Sequence, residues 1–149
     1  MLGIVLVGCG VQPTGVVDAG EPASGLTRGM RLYYASADGL RAVPLIDKEV
    51  EDLGGVLKLL GQEPPEGLIS LVRLGGYSAA GSGTRVTVGI DGPYRGSERD
   101  QGTGQVVCTL ARAQSVLEPK VRTDDVEVTL RPSEGAALGP YRCAEFLNR

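Results

Sequence analysis

The sequence predicts an α+β domain in which two helices pack on one face of a mostly antiparallel sheet, in the order β-β-α-β-β-α-β. Residues 84–90 and 122–131 alternate apolar with polar side chains, which is the period of a half-buried strand. Residues 30–35 and 40–46 are two strand-like runs on either side of a turn signal. Between these strands lie two segments whose apolar residues recur at helical spacing.

The opening hairpin and the first helix follow from local signals. The hairpin is expected to turn at residues 36–39, where Asp-Gly is the strongest turn pair, and Pro44 places its second strand at a sheet edge or ends it there. The first helix is expected from a cap at Asp47 to about Gly61. Its packing face is formed by Val50, Leu53, Leu57 and Leu60. Two prolines at residues 64–65 end the helix.

The middle of the chain carries weaker signals. Residues 68–74 fit either a further strand or an irregular crossing, and both alternatives stay open. Residues 75–83 are rich in glycine, serine and alanine, and residues 91–101 carry several charges, so both are expected to be loops. Thr103 is the expected cap of a second helix, which ends at about Gln114.

Composition narrows the possible functions. The chain has 149 residues, a formal net charge of −3, no histidine, no tryptophan and 4% aromatic residues. The lack of histidine removes the commonest general base, the His-containing catalytic triads and the His-rich zinc or haem sites. Weak acidity argues against nucleic-acid binding, which needs basic patches, and the few aromatics argue against base stacking. We therefore expect a non-enzymatic protein without a cofactor, a metal or a nucleic-acid partner.

Residues that could carry chemistry have simpler interpretations. Four carboxylates are conceivable as the acid pair of a glycoside hydrolase: Glu98, Asp100, Asp124 and Asp125. No tryptophan platform accompanies them, so a solvated polar surface is favoured. Two glycine-rich runs, residues 81–84 and 102–104, resemble phosphate-binding loops. The first leads into a strand and the second lacks the Lys-Ser/Thr pair of a P-loop, so ordinary turns are favoured.

The first nine residues are typical of the end of an export signal. Residues 1–8 are uncharged, mostly apolar and too short to span a bilayer, and they are followed by Cys9. Residues 6–9 (Leu-Val-Gly-Cys) resemble the lipobox of bacterial lipoproteins, whose cysteine receives a diacylglyceryl group and becomes the mature N-terminus. No basic n-region precedes them, so we expect that the true start lies upstream or that the sequence is trimmed. The alternative is a buried first strand that ends at an ordinary core cysteine.

The stretch after Cys9 is expected to be a tether. Residues 10–29 contain five glycines and two prolines and almost no hydrophobic periodicity, as flexible linkers do. Two acyl chains, of the palmitate type, are enough to anchor such a protein stably to a membrane. The expected organisation is the end of a signal peptide at 1–8, a lipidated cysteine with its tether at 9–29, and one domain with a C-terminal tail at 30–149.

Cys108 and Cys143 are expected to form a disulfide. If Cys9 marks export, both thiols meet an oxidising environment, in which they tend to join. Closing a loop of about 35 residues contributes roughly 4 kcal/mol in the chain-entropy model, and it would tie the tail to the second helix. Two buried free thiols are the alternative. A redox-active pair is disfavoured because no Cys-x-x-Cys is present.

Three short motifs are informative together: residues 41–44 (Arg-Ala-Val-Pro), residues 59–61 (Leu-Leu-Gly) before a Pro-x-Gly-Leu turn, and residues 105–110 (Gln-Val-Val-Cys-Thr-Leu). They resemble the GerMN-type sporulation and germination domain of lipoproteins from Gram-positive bacteria, and the resemblance implies an actinobacterial source. The resemblance covers residues 30 to about 130. It implies a fold related to the ring-building motifs of secretion machines and a role in assembly rather than catalysis. The family's Gly-Pro pair after the first helix is split here, which leaves the first helix-to-strand connection open.

Two functions of different class follow. In the first, the chain is a membrane-anchored extracytoplasmic lipoprotein that binds an envelope protein partner through a sheet edge or a helix face. In the alternative, it binds a small ligand or a cell-wall glycan, with the loops at 75–83 and 93–102 forming the site.

Overall fold

Within the residues that the computed structural model describes, 29–72 and 76–147, the chain forms three helices and two sheets of mostly antiparallel strands. The strands are β1 (Arg31–Ser36), β2 (Gly39–Pro44), β3 (Tyr77–Ser82), β4 (Arg85–Pro93), β5 (Glu127–Glu134) and β6 (Leu138–Tyr141). The helices are α1 (Leu53–Leu60), α2 (Gln101–Leu117) and α3 (Ala144–Leu147), and a 3-10 turn at Thr123–Asp125 precedes β5. The predicted α+β class is confirmed.

The strands form two separate sheets, so the predicted single sheet is wrong. β1 and β2 pair only with each other, as an antiparallel hairpin. The other four strands form one sheet in the order β3-β4-β5-β6. β4 and β5 run parallel because α2 carries the chain from one to the other, whereas the remaining neighbours are antiparallel. The predicted element order is matched only roughly.

Helix α2 is the centre of the hydrophobic core. Its residues 102–111 are all buried, because the hairpin, α1, both central strands and α3 contact this helix. A helix that is surrounded in this way needs apolar or internally bonded residues on every side. The four-stranded sheet supplies the apolar residues whose alternation marked it in the sequence: Val86, Val88, Ile90, Val126, Val128 and Leu130.

Both longer helices begin at a different residue than the sequence predicts. The cap of α1 is Asp52 rather than Asp47, and its side chain accepts a hydrogen bond from the backbone N–H of Gly55 at 2.6 Å. The cap of α2 is Asp100 rather than Thr103, whose backbone N–H donates to Asp100 Oδ1 at 2.6 Å. Aspartate and threonine are both good capping residues. Local sequence therefore does not decide between Asp47 and Asp52 for α1, or between Thr103 and Asp100 for α2.

Strand β3 lies in a segment that the sequence predicts as a loop. Its small side chains give no apolar alternation, yet its backbone pairs with β4 along its whole length. The preceding segment, where a strand or a crossing was open, is irregular apart from one bridge between Ile69 and Ala35. Residues 73–75 of that segment lie outside the description.

Three further boundaries correct the prediction. β4 continues to Pro93, into the expected loop at 91–101. β5 begins only at Glu127, because the chain before it forms the 3-10 turn. The expected tail contains two regular elements, β6 and α3. These short elements have too few residues to show a periodicity of their own in the sequence.

Candidate functional site

The predicted site cysteines fall in two different parts of the chain. Cys9 lies outside the described residues, so its lipidation stays a prediction. Cys108 of α2 and Cys143, just before α3, are joined by a disulfide with their Cα atoms 4.5 Å apart. Both side chains are buried in the core. The bond therefore fastens the end of the chain to the central helix.

Two buried polar side chains of α2 hold the edge of β1 that faces away from β2. The backbone N–H of Tyr33 donates to Thr109 Oγ1 at 3.0 Å, and Gln105 Nε2 donates to the carbonyl oxygen of Tyr33 at 3.1 Å. Gln105 Oε1 in turn accepts a hydrogen bond from the N–H of Leu71 at 2.8 Å. Because buried backbone groups need partners, these contacts and the bridge between Ile69 and Ala35 together satisfy this edge of β1 and hold the hairpin on α2.

The sequence contains a further signal for this arrangement. Gln105 and Thr109 are four residues apart inside an apolar helical run, so they lie on the same face of α2. In the sequence alone, residues 105–110 stand out only because they resemble a motif of GerMN-type domains. A pair of polar residues at this spacing within a buried stretch indicates that both contact one neighbouring backbone.

The first glycine-rich run, residues 81–84, covers the end of β3 and the turn at residues 83–84 that leads into β4. Gln114 Nε2 donates to the carbonyl oxygen of Gly83 at 2.9 Å and to Glu118 Oε1 at 3.0 Å. A Cβ atom at Gly81 would overlap the side-chain oxygen of Gln114, so glycine is needed there for close approach. The run thus contains an ordinary turn, and its contact with α2 was not predicted.

The second glycine-rich run opens α2, and the Asp100 side chain occupies the beginning of that helix. Asp100 accepts hydrogen bonds from the backbone N–H groups of Thr103 and Ser97 at 2.6 and 2.7 Å. The Tyr94 hydroxyl lies 2.8 Å from Thr103 Oγ1. Burial raises the pKa of Tyr94, and the Asp100 charge raises it further against the Thr103 hydrogen bond. The helix end is thus already capped by the chain itself.

The four candidate carboxylates fall into two groups at opposite ends of α2, Glu98 and Asp100 at its start and Asp124 and Asp125 near its end. Asp100 caps the start of α2, whereas Asp124 follows Thr123, whose hydroxyl lies 2.8 Å from Ser115 Oγ near the end of that helix. At 1.5 Å per residue this places the two about 20 Å apart along the helix, whereas paired glycosidase carboxylates lie within about 10 Å. Among the described residues, no group of three or more histidines, cysteines and acidic residues is arranged to hold a metal ion.

A groove of about 700 Å³ lies beside the C-terminal half of α2 and is open to solvent. Three arginines line it: Arg31 of β1, Arg112 of α2, and Arg122 of the connection to β5. The hydroxyls of Ser115 and Thr123, which are hydrogen-bonded to each other, lie in the same groove. We refer to it as the arginine groove.

The described lining of the arginine groove contains more basic than acidic side chains. It includes three arginines and one carboxylate, Asp124, and Arg31 and Arg112 also take part in further interactions. Burial lowers the pKa of Arg112, and the like charge of Arg31 lowers it further, while Tyr33 acts in the opposite direction. The guanidinium groups of Arg31 and Arg112 therefore lie close enough to repel each other.

None of the four main recesses among the described residues is lined by both loops of the ligand-binding alternative. Most of the first forms β3, and the second contributes residues 99–101 to a recess of only about 40 Å³. Neither this recess nor the arginine groove is lined by both segments.

No helix within residues 29–72 and 76–147 has the length and hydropathy needed to cross a membrane.

Comparison with known proteins does not place the chain in a family: no family model, no curated protein and no solved structure matches it. The resemblance to GerMN-type domains therefore rests on the sequence motifs alone.

Proposed function

We propose that this chain is a lipid-anchored protein on the extracytoplasmic face of the cell membrane. Cys9 follows an apolar run and ends a lipobox-like sequence, so it is the proposed site of the lipid anchor. The observation that carries the proposal is the disulfide between Cys108 and Cys143, because disulfides persist in oxidising compartments and are rare in the cytoplasm. An anchor signal and a covalent crosslink suited to an exported domain thus occur in one chain.

The domain acts in this proposal as a non-enzymatic interaction module of the GerMN type. The motif at residues 105–110 carries the family resemblance, and Gln105 and Thr109 within it hold β1 in place. This structural role gives a physical reason for the motif. The candidate carboxylates described above have capping or surface positions, which supports an interaction role over a catalytic one.

An envelope protein is the proposed partner, and β3 is the proposed contact. β3 is an edge of the four-stranded sheet, with no charged residue and no proline among its six residues. Such edges accept an additional strand through backbone hydrogen bonds, and natural proteins usually protect them with charges or prolines. Ser78, Ala80 and Ser82 are small and exposed, so a partner strand can approach closely.

Membrane fractionation tests the anchor. Cys9→Ser should release the protein from the membrane fraction and abolish the mass added by the diacylglyceryl group. The double variant Cys108→Ser/Cys143→Ser, which keeps Cys9, is the matched control and should stay with the membrane. Retention of Cys9→Ser in the membrane would contradict the anchoring proposal.

Site-specific crosslinking tests the partner surface. A photo-crosslinking residue at Ala80 of β3 should capture a defined envelope protein in intact membranes, which mass spectrometry then identifies. The same residue at Asp125, exposed in the 3-10 turn, is the control and should not capture that protein. Equal capture from both positions would show that β3 is not the contact.

A further inference from the structure

β3 is the least protected strand edge among the residues that the structure describes. The opposite edge of its sheet, β6, contains Pro140, and β2 contains Arg41 and Pro44. The outer edge of β1 is held by side chains of α2 and by the backbone of Ile69. β3 has no such protection, and four of its six residues are exposed. Such an edge is a template for pairing with a strand of another chain.

The pairing of β3 with β4 determines which backbone groups the open edge presents. The N–H of Asp91 donates to the carbonyl oxygen of Gly76 at 2.9 Å, so the backbone of Gly76 bonds toward β4. Successive residues of an antiparallel strand bond alternately to one side and to the other. Counting from Gly76, three residues direct their N–H and C=O groups to the open edge: Tyr77, Ala79 and Gly81. Within the described part of the chain, no group outside the sheet bonds to them.

This edge is complementary to itself. If two copies of β3 pair antiparallel about Ala79, Ala79 lies opposite its own copy and Tyr77 lies opposite Gly81. Every edge-facing residue then meets another edge-facing residue, and each such pair exchanges two hydrogen bonds. The largest side chain of the strand lies opposite the smallest residue, and no like charges meet within the strand pair because β3 has no charged residue.

Two exposed charges on β4 fit the same arrangement. Arg85 lies beside Ser82 at one end of β3, and Asp91 lies beside Gly76 at the other. Neither charge forms an ion pair with another described residue. A Cβ atom at Gly76 would overlap the Asp91 carboxylate, so this carboxylate lies over Gly76, toward the open edge of the sheet.

Pairing about Ala79 brings these charges toward each other across the two copies. Ser82 of one copy lies opposite Gly76 of the other, so Arg85 and the second copy's Asp91 stand in one row on the exposed face. Three strand spacings separate their Cα atoms by about 14 Å, a gap that the long arginine side chain narrows toward the carboxylate. Within one chain the same two residues lie about 20 Å apart along β4 and cannot pair.

We propose that two copies of this chain pair through β3 and join their four-stranded sheets into one continuous sheet. The proposal rests on the proposed function, because it names a second copy as the envelope protein that contacts β3. A pair of six-residue strands is smaller than a standard protein interface, so the association should be weak between free molecules. The proposed lipid anchor confines both copies to one membrane, which raises their effective concentration.

Cysteine crosslinking of the full chain in intact membranes tests the pairing and its register. In this register Ser78 of one copy lies opposite Ala80 of the other, with Cα atoms about 4.5 Å apart, within reach of a disulfide. Two copies of the same variant place their cysteines about 8 Å apart, which is too far. Ser78→Cys and Ala80→Cys expressed together should therefore give at least five-fold more linked dimer than either variant alone. Thr87→Cys, exposed on β4 beside Ala80, is the matched control and should not crosslink to Ser78→Cys.

Charge reversal tests the contact between Arg85 and Asp91. Arg85→Asp and Asp91→Arg should each lower the yield of the dimer linked at Ser78 and Ala80 about five- to ten-fold, because two attractive pairs become repulsive. The double variant Arg85→Asp/Asp91→Arg restores opposite charges across the two copies and should recover the yield to within about two-fold. Arg131→Asp reverses an exposed charge on β5 and is the control, with an expected change below about two-fold.

Three outcomes would overturn the proposal. Equal crosslinking of each cysteine variant with itself and with the other would show that the strands have no fixed register. A double charge variant that stays as weak as the single variants would show that Arg85 and Asp91 do not meet. Capture of only a different protein by the photo-crosslinking residue at Ala80 would reject the second copy, while β3 would remain the contact of the proposed function. Capture of nothing at Ala80 would reject that contact as well, and fractionation of Cys9→Ser tests the anchor separately.

Discussion

Single buried side chains decide where the hairpin lies on the core. Thr109 Oγ1 accepts the hydrogen bond of the Tyr33 N–H, and its relative exposure is 0%. Thr109→Val keeps the size of the side chain but removes this acceptor, which leaves a partly buried donor unsatisfied. We expect the free energy of unfolding to fall by about 1–3 kcal/mol, measured by urea denaturation.

Thr87→Val is the matched control for this loss. Thr87 lies in β4 and is exposed, so the same chemical change there should alter the free energy of unfolding by less than about 0.5 kcal/mol. Similar values for Thr87→Val and Thr109→Val would show that the Tyr33 contact contributes little to stability.

Asp100 makes stability depend on pH. Burial acts to raise the pKa of its carboxyl group, but hydrogen bonds from Thr103 and Ser97 outweigh this effect, and the pKa lies below its ordinary value. Because the folded pKa is lower than the unfolded one, the ionised carboxylate stabilises the fold above about pH 4, and this stabilisation is lost as the pH falls through the folded pKa. Asp100→Ala should therefore cost about 0.5–2 kcal/mol at pH 7, and the cost should shrink below pH 4.

Denaturation of wild type and variant between pH 7 and pH 3 measures this difference. Asp125→Ala removes the same charge from an exposed position, and at pH 7 it should change the free energy of unfolding by less than about 0.5 kcal/mol. If the difference in free energy of unfolding between wild type and Asp100→Ala stayed constant down to pH 3, the Asp100 carboxylate would not be the stabilising cap.

At the scale of elements, α2 packs so closely that one of its glycines has no room for a side chain. A Cβ atom at Gly104 would lie 2.8 Å from Leu40 Cδ1 and 2.9 Å from Phe146 Cδ1, so β2 and α3 would have to shift. Gly104→Ala should lower the free energy of unfolding by about 1–3 kcal/mol, because overpacking outweighs the gain in helix propensity. Thermal or urea denaturation provides the measurement.

The same substitution in α1 should act in the opposite direction. A Cβ atom at Gly55 would meet only Asp52 Oδ1, at an ordinary 3.5 Å, and Gly55 is exposed. Gly55→Ala should therefore be neutral or stabilise the fold by up to about 1 kcal/mol. If Gly104→Ala behaved like Gly55→Ala, the close contact at Gly104 would not limit packing.

Elements could be predicted from the sequence where one face of a strand is buried. Val86, Val88 and Ile90 alternate in β4 because every second side chain contacts the core, and this period is visible in the sequence. β3 was not predictable, because it is held by backbone pairing and by contact at Gly81 rather than by apolar side chains. The separation of two sheets was equally hidden, since side chains of α2 and the backbone of Ile69 satisfy the edge of β1 that a neighbouring strand would otherwise pair with.

At the scale of the whole molecule, the candidate sites differ in how far the sequence predicts them. The chemistry of export predicts that Cys108 and Cys143 pair, and the structure joins them. The arginine groove was not predictable, because Arg31 lies far from Arg112 and Arg122 in the chain and only the packing of β1 on α2 brings them together. A site that depends on one reactive residue type, such as a cysteine pair, can be predicted from composition. A site formed by side chains from distant segments that meet in space requires the fold.

The disulfide stabilises the molecule as a whole, because it closes a loop of 35 residues that contains β5 and β6. In the chain-entropy model such a loop contributes about 4 kcal/mol by restricting the unfolded chain. Cys108→Ala/Cys143→Ala should lower the free energy of unfolding by a similar amount, with Cys9→Ser as the background in both proteins. Alkylation of the denatured, unreduced protein gives the independent check. Labelling of both Cys108 and Cys143 in that experiment would mean that the domain carries free thiols, and the main support for the proposed extracytoplasmic location would be lost.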